Sequence, residues 1–311
     1  MDEKMDSPLI ERVLLAHVEE QRRARRWGMV WRILSFLVLI TILGISIFSS
    51  GAGVRQPPST PHTALVDLTG VIDSQSEASA DVINESLRMA FETKSAKGII
   101  LRVNSPGGSP VQSGIVFDEI RRLRALHEDK PLVAVVEDIA ASGGYYIASA
   151  ADAIYVDKAS LVGSIGVRMD SFGFTEAIKK LGVERRVLTA GENKAMLDPF
   201  LPVDPKQKAA IQSMLGEVHQ QFMDAVKMGR GERLKQDPEI FSGMVWTGAK
   251  SIELGLADSL GTVDSVARDV IKAEDVIDYT MQPNLLERLS RRFGASMGEA
   301  AARVIMQWSI H

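Results

Sequence analysis

The chain contains no cysteine among its 311 residues. Disulfides, a thiolate nucleophile and thiolate metal sites are therefore excluded, and cysteine usage says nothing about the compartment. Histidine is scarce as well, with His17, His62, His127, His219 and His311. None of these stands at an H-E-x-x-H or similar ligand spacing, which argues against a zinc enzyme. No metal and no cofactor are expected. A strong excess of one charge is also missing. The net charge of -4 leaves no basic footprint for nucleic acid. The length fits one large domain or two small ones with a useful core.

One long apolar run is present. Every side chain from Ile33 to Phe48 is uncharged. With Trp27 to Trp31 before it and Ser49 to Gly53 after it, the span approaches the ~20 residues that cross a bilayer. Arg22, Arg23, Arg25, Arg26 and Arg32 cluster on its N-terminal side, and the next basic residue beyond is Arg55. The positive-inside rule then places the N-terminus in the cytoplasm and the bulk of the chain outside. The expected organisation is a cytoplasmic tail at 1–26, a transmembrane helix at 27–50, a linker at 51–62, a main domain at 63–280 and a C-terminal amphipathic segment at 281–311. Two competing readings are a cleaved signal peptide, since Ser50-Gly51-Ala52 are small, and a buried core helix. The long polar tail and the Pro/Ser/Thr-rich stretch 56–61 speak against both.

Beyond the linker, strands and helices alternate. Ala64–Thr69, Gly98–Val103, Pro131–Val136 and Ala153–Val156 read as strands. Ala80–Lys94, Ser113–Leu126 and a small-residue helix ending near Ala151 lie between them. The apolar runs and the alternation point to parallel β–α–β units covered on both faces. After Thr175 a short helix, a strand near Arg186–Leu188 and a long helix from Pro205 to Met228 are expected, with further turns over Gly248–Ile271.

Two glycine-rich turns follow consecutive buried strands: Ser105-Pro106-Gly107-Gly108 and Ser142-Gly143-Gly144. Ligands of open α/β sheets bind beyond the carboxyl ends of the strands. Glycine pairs allow close backbone approach and present N–H groups, the donors that a carbonyl under attack requires. The same glycines also suit plain tight turns. A serine nucleophile needs a base. His219 lies in a polar helical stretch that reads as solvated, His127 at a charged helix end, and His62 in the linker. A lysine can replace histidine if burial keeps its amine neutral, but spacing alone selects none.

Taken in order, several segments resemble the bacterial signal peptide peptidase SppA family. They are Asn104-Ser105-Pro106-Gly107-Gly108, Asp138 through Tyr146, Gly163-Ser164-Ile165-Gly166-Val167, Gly191-Glu192-Asn193-Lys194 with Pro199-Phe200, Trp246-Thr247-Gly248 and Gly255-Leu256-Ala257-Asp258. The resemblance covers about 63–270. It implies an α/β fold of the Clp-protease/crotonase-like type, built of repeated β-β-α units. It implies Ser142 as nucleophile, Lys194 as general base, and Ser164 as the group that orients the lysine amine. The oxyanion donors would be N–H groups around Gly107, Gly108 and Gly143. It further implies remnant signal peptides as substrates, a site in the bacterial plasma membrane with the catalytic domain outside the cytoplasm, and a homo-oligomeric ring, an octamer by expectation, whose active sites are shared between subunits. Ser109 stands where a third glycine is frequent, and Glu192 and Asn193 are polar neighbours for a neutral lysine.

Three rival functions share parts of this pattern. A crotonase-like acyl-thioester enzyme would need a carboxylate at the site. An α/β-hydrolase would need a histidine base. A non-catalytic membrane scaffold would need neither.

Overall fold

The computed structural model describes residues 25–42, 44 and 59–281. The chain divides into two units, residues 57–282 and residues 1–56 with 283–311. In the latter unit residues 25–42 are helical, with exposed side chains. No helix among the described residues is long and apolar enough to cross a membrane; Arg25, Arg26 and Arg32 fall within the described run. The rest of the span expected at 27–50, apart from Gly44, lies outside the described residues, as does the amphipathic segment from 282 onward.

The larger unit is built on one sheet. Its strands are β1 His62–Ile72, β2 Ala96–Gly108, β3 Leu132–Ala141, β4 Ala153–Val156, β5 Leu161–Gly163, β6 Val245–Thr247, β7 Ser259–Leu260 and β8 Val276–Asp278. The order is β6-β5-β3-β2-β1-β8, and β4 pairs with β3 on one side and β7 on the other. All pairings are parallel except β5 with β6. Strand β3 serves two partners in turn: Val133–Val136 pair with β4, and Ile139–Ala141 pair with β5.

The helices are α1 Ala80–Glu92, α2 Pro110–Leu126, α3 Gly143–Ala148, α4 Thr175–Lys180, α5 Pro205–Arg230, α6 Gly248–Glu253 and α7 Val263–Val266. The β2 run Ile99, Ile100, Leu101 is buried throughout because both sheet faces are covered. On one face Val66, Leu68, Ile99, Leu101 and Val136 meet Leu87, Phe91, Phe117, Ile120 and Tyr145 from the helices. On the other, Leu65, Ile100, Val133 and Val135 meet Val266, Ala267 and Ile271. Local chemistry sets the helix starts. Ser109 caps α2 ahead of Pro110, and Asp204 caps α5 ahead of Pro205, accepting from the N–H groups of Lys206 and Gln207 at 2.8 and 3.0 Å.

Helix α5 is docked by its C-terminal half. Phe222 stacks on Tyr146 with centroids 4.9 Å apart. Arg230, fully buried, places two N–H groups on the Asp258 carboxylate at 2.9 Å each, and the same carboxylate accepts from the N–H of Ile154 at 2.7 Å. The Gly255–Asp258 segment is thereby a structural clamp between α5 and β4. By contrast, no residue from 166 to 221 is fully buried.

Three expectations need correction. No strand forms at Arg186–Leu188; that stretch is irregular and exposed, with Leu188 fully so, since no neighbouring strand takes up its backbone. His62 is not in a linker but opens β1, buried, bonded to Thr60 O and Tyr279 OH at 2.8 and 2.9 Å. His219 is half-buried rather than solvated, and its Nε2 lies 3.1 Å from the Ile165 carbonyl.

Candidate active site

The two glycine turns meet at the carboxyl ends of β2 and β3. Gly107 has φ +98°, and a Cβ there would stand 2.6 Å from the Gly143 nitrogen and 2.7 Å from the Ser142 Cβ. Only glycine lets the first turn approach the second this closely. The Gly107 N–H donates to Ser105 Oγ at 3.2 Å, and that hydroxyl donates to the Gly70 carbonyl at 2.6 Å. Ser105 is fully buried. It ties the β2 turn to the end of β1, and it uses the Gly107 N–H in doing so.

Ser142 sits between β3 and α3 with φ 52° and ψ −122°. A side chain in that region costs of order 1–3 kcal/mol and persists only where its surroundings enforce it. They do so here from both sides. Its N–H donates to the Gly163 carbonyl at 2.9 Å, and its carbonyl accepts from the N–H of Tyr146 at 2.9 Å. Tyr146 is held between Phe117 and Phe222. The Ser142 side chain is free of the helix cap and makes no hydrogen bond among the described residues. Gly143 opens α3, where an N–H has no intrahelical acceptor. The Gly108 nitrogen comes within 3.3 Å of where a Gly143 Cβ would stand. The Gly108 and Gly143 nitrogens thus lie in the two turns that meet at Ser142.

Ser164 stands beside this group. Register pairs Ala141 with Gly163, so Ser142 and Ser164 continue from the ends of two adjacent parallel strands, roughly 5 Å apart backbone to backbone. Ser164 has φ 52° as well, and its N–H donates to the Met244 carbonyl at 2.7 Å. The Trp246 indole packs against Gly163 next to it.

Lys194 is not bonded to this group. It is exposed, on a run of turns within the unburied stretch 166–204. No hydrogen bond joins its ammonium to Ser142 or Ser164 within one chain, and it forms no ion pair among the described residues. The lysine whose pKa burial pushes below the ordinary value is Lys130, with a minor contribution from Lys97. Lys130 donates to Phe91 O and Thr93 O at 2.5 and 2.7 Å, capping α1. It precedes β3, whereas Ser142 follows it. Ten residues at ~3.3 Å each separate the two by about 30 Å, which removes Lys130 from the site. Tyr145 is no base either, because its buried hydroxyl donates to the Leu256 carbonyl at 2.8 Å and burial raises its pKa. Among the described residues no group of three or more His, Asp and Glu could hold a metal ion.

Ser142, Ser164, Gly107, Gly108 and Gly143 are thus brought together, and Lys194 makes no hydrogen bond to them. From sequence, His219 is weighed only as a base and Ser105 only as part of a glycine turn; the hydrogen bonds they make here are not legible there. The burial of Ser105 was the only available hint, through its place between an apolar strand and a glycine pair.

Comparison with known proteins bears on this arrangement. The antiporter NhaA chain of Brucella melitensis, named a Na(+)/H(+) antiporter, is 49% identical over 182 residues, 58% of this chain and 25% of that one. The chain thus aligns with only a quarter of that relative's length. The putative protease MJ0651 of Methanocaldococcus jannaschii is 31% identical over 217 residues, covering 68% of this chain and 69% of that one. The putative signal peptide peptidase SppA of Enterococcus faecium is 29% identical over 195 residues, 63% of this chain and 56% of that one. The profile of Peptidase family S49 matches residues 124–276, a segment that includes Ser142, Ser164 and Lys194. On its sequence relatives and on its parallel-rich α/β sheet, the chain belongs to Peptidase family S49.

Proposed function

We propose that this chain is a membrane-anchored serine endopeptidase with a Ser142–Lys194 dyad assembled between two copies, acting on remnant signal peptides and similar apolar peptides. We read its fold as the Clp-protease/crotonase-like type. The observation that carries the reading is Ser142. Its hydroxyl is unbonded, its backbone is held in a strained conformation at a strand end, and Gly107 of the neighbouring turn approaches it closely. Strain of this kind is retained where function requires a particular side-chain direction.

The amine must lose its proton to act as a base, and burial is what lowers a lysine pKa. Lys194 is exposed within one chain. A neighbouring copy can bury it. The stretch that carries it also exposes Phe172, Leu181, Val183 and Leu188, apolar surface suited to a protein contact. In the reaction the Ser142 hydroxyl gives its proton to the Lys194 amine while Oγ bonds to the peptide carbonyl carbon. The carbonyl oxygen, now negative, accepts from the N–H groups of Gly108 and Gly143, each such donor contributing on the order of 10²–10³ in rate. Gly107 leaves room for this approach. The ammonium returns the proton to the departing amine, leaving an acyl-serine. Water then attacks the ester, with Lys194 again taking the proton, and frees the acid and Ser142. Ser164 donates or accepts a hydrogen bond at the amine and so directs it.

The test uses the full chain and a fluorogenic apolar peptide. Ser142→Ala, Lys194→Ala and Lys194→Arg each lose turnover by at least ~10³-fold, the arginine because a guanidinium stays protonated. Wild-type turnover rises toward alkaline pH as the amine deprotonates. A serine-reactive inhibitor labels Ser142. Co-assembly of Ser142→Ala with Lys194→Ala restores activity at roughly a quarter of the sites if copies mix at random. Turnover near wild type in any single variant refutes the dyad, and absence of restoration refutes the shared site.

A further inference from the structure

Three features around Ser164 are not accounted for by the dyad itself. The first is its backbone, at φ 52° in a residue that carries a side chain. The second is the enforcement of that conformation from the N-terminal side, where the Ser164 N–H is fixed to the Met244 carbonyl. The third is the next carbonyl along the chain, that of Ile165, which accepts a hydrogen bond from the His219 ring at 3.1 Å. A carbonyl oxygen only accepts, so Nε2 of His219 is the donor, and that nitrogen is committed.

His219 itself is well placed to hold this bond. It is one turn before Phe222 on α5 and opens the helix face formed by Phe222, Val226 and Arg230. Phe222 stacks on Tyr146, and Gly229 lies so close to Ser149 that a Cβ would come 1.9 Å from its carbonyl oxygen. The register of α5 against α3 is therefore set by the same helix that follows Ser142. Ile165 is fully buried, so its peptide has no water to fall back on.

We propose that His219 is a positioning residue of the Ser142 centre: its Nε2–H grips the Ile165 carbonyl and holds Ser164 in the conformation that presents its hydroxyl to the lysine amine. This inference rests on the role given to Ser164 above. It also assigns His219 a part distinct from that of a general base, since a side chain with a donor and no basicity should replace it.

The experiment compares His219→Leu, which has no donor, with His219→Gln, whose amide N–H reaches a similar distance. Peptide turnover, KM and the melting temperature are measured in the full chain, together with labelling of Ser142 by a fluorophosphonate. For His219→Leu, kcat falls on the order of tenfold, KM stays within about twofold, and labelling slows in parallel, as expected for a misplaced catalytic group. His219→Gln returns kcat to within about threefold of wild type. His219→Phe, which keeps the ring bulk without a donor, reads the same loss should the leucine protein not fold. Unchanged kcat in both donor-free variants, with wild-type Ser142 labelled normally, overturns this inference alone. Equal loss in the leucine and glutamine proteins at unchanged melting temperature overturns it too, because the imidazole itself would then be required. Failure of the wild type to be labelled at Ser142 overturns the peptidase reading and this inference with it.

Discussion

Replacing Ser142 by glycine should raise the stability of the protein while abolishing its turnover. Ser142 adopts φ 52°, ψ −122°, a conformation that costs a residue with a Cβ of order 1–3 kcal/mol. Glycine enters it without that cost. Against the gain stands the greater freedom of glycine in the unfolded chain, about 0.4–1 kcal/mol. Little else is lost, because the Ser142 hydroxyl makes no hydrogen bond among the described residues. The net expectation is a gain of about 1 kcal/mol. Ser142→Ala supplies the reference, since alanine keeps the Cβ and the strain while losing the hydroxyl. Urea titration of both variants reads the difference as a midpoint shift of roughly 0.3–1 M at equal m-value. A glycine variant less stable than the alanine variant would show that the backbone at 142 is not strained, and the main argument for a functional serine there would go with it.

Two further outcomes follow from the same geometry. Gly107→Ala drives a methyl into the Gly143 nitrogen and the Ser142 Cβ, well inside the ~3.5 Å of ordinary contact. Displacing the nucleophile by about 1 Å should cut kcat by about 100-fold. Gly231→Ala, also at positive φ but with nothing within 4 Å, pays only the strain and keeps turnover within a few-fold in the same peptide assay; equal losses in both would refute the contact argument. Glu119 offers a pH test. Hydrogen bonds from Arg122 and then Arg88 hold its carboxylate at about 2, below the ordinary value near 4.5. Its contribution is complete above the ordinary value and lost as pH falls from there through 2. Both arginines are half exposed, so Glu119→Gln should cost only about 1–2 kcal/mol at neutral pH. The gap to wild type should close near pH 2 in denaturation curves; a constant gap would refute the assignment.

Much of the architecture could be read from local pattern. The helix at Ala80–Glu92 follows from apolar periodicity, and the one at Pro205–Arg230 from its proline start and the Asp204 cap. The strands of the parallel sheet follow from apolar runs ended by glycine turns. The expectation that Ser142 opens a helix just after a buried strand follows from the same signals. Extended propensity misled at Arg186–Leu188, because a strand exists only where another backbone accepts its hydrogen bonds, and composition does not reveal a neighbour.

The amino-acid order alone determined the residue types of the centre, the strand–turn–helix units that carry them, and the family resemblance. Tertiary structure alone decided which of them meet. Pairing of Ala141 with Gly163 sets Ser142 beside Ser164, though 22 residues separate them in sequence. Ser105 reaches Gly70, and His219 reaches Ile165, only because sheet register and helix docking bring distant segments within hydrogen-bond range. Lys194 is exposed and makes no hydrogen bond to either serine within one chain. Local interactions act over a few residues and are written in the order of the side chains. Contacts between distant segments depend on the sum of packing and pairing over the whole sheet, which no short stretch of sequence records.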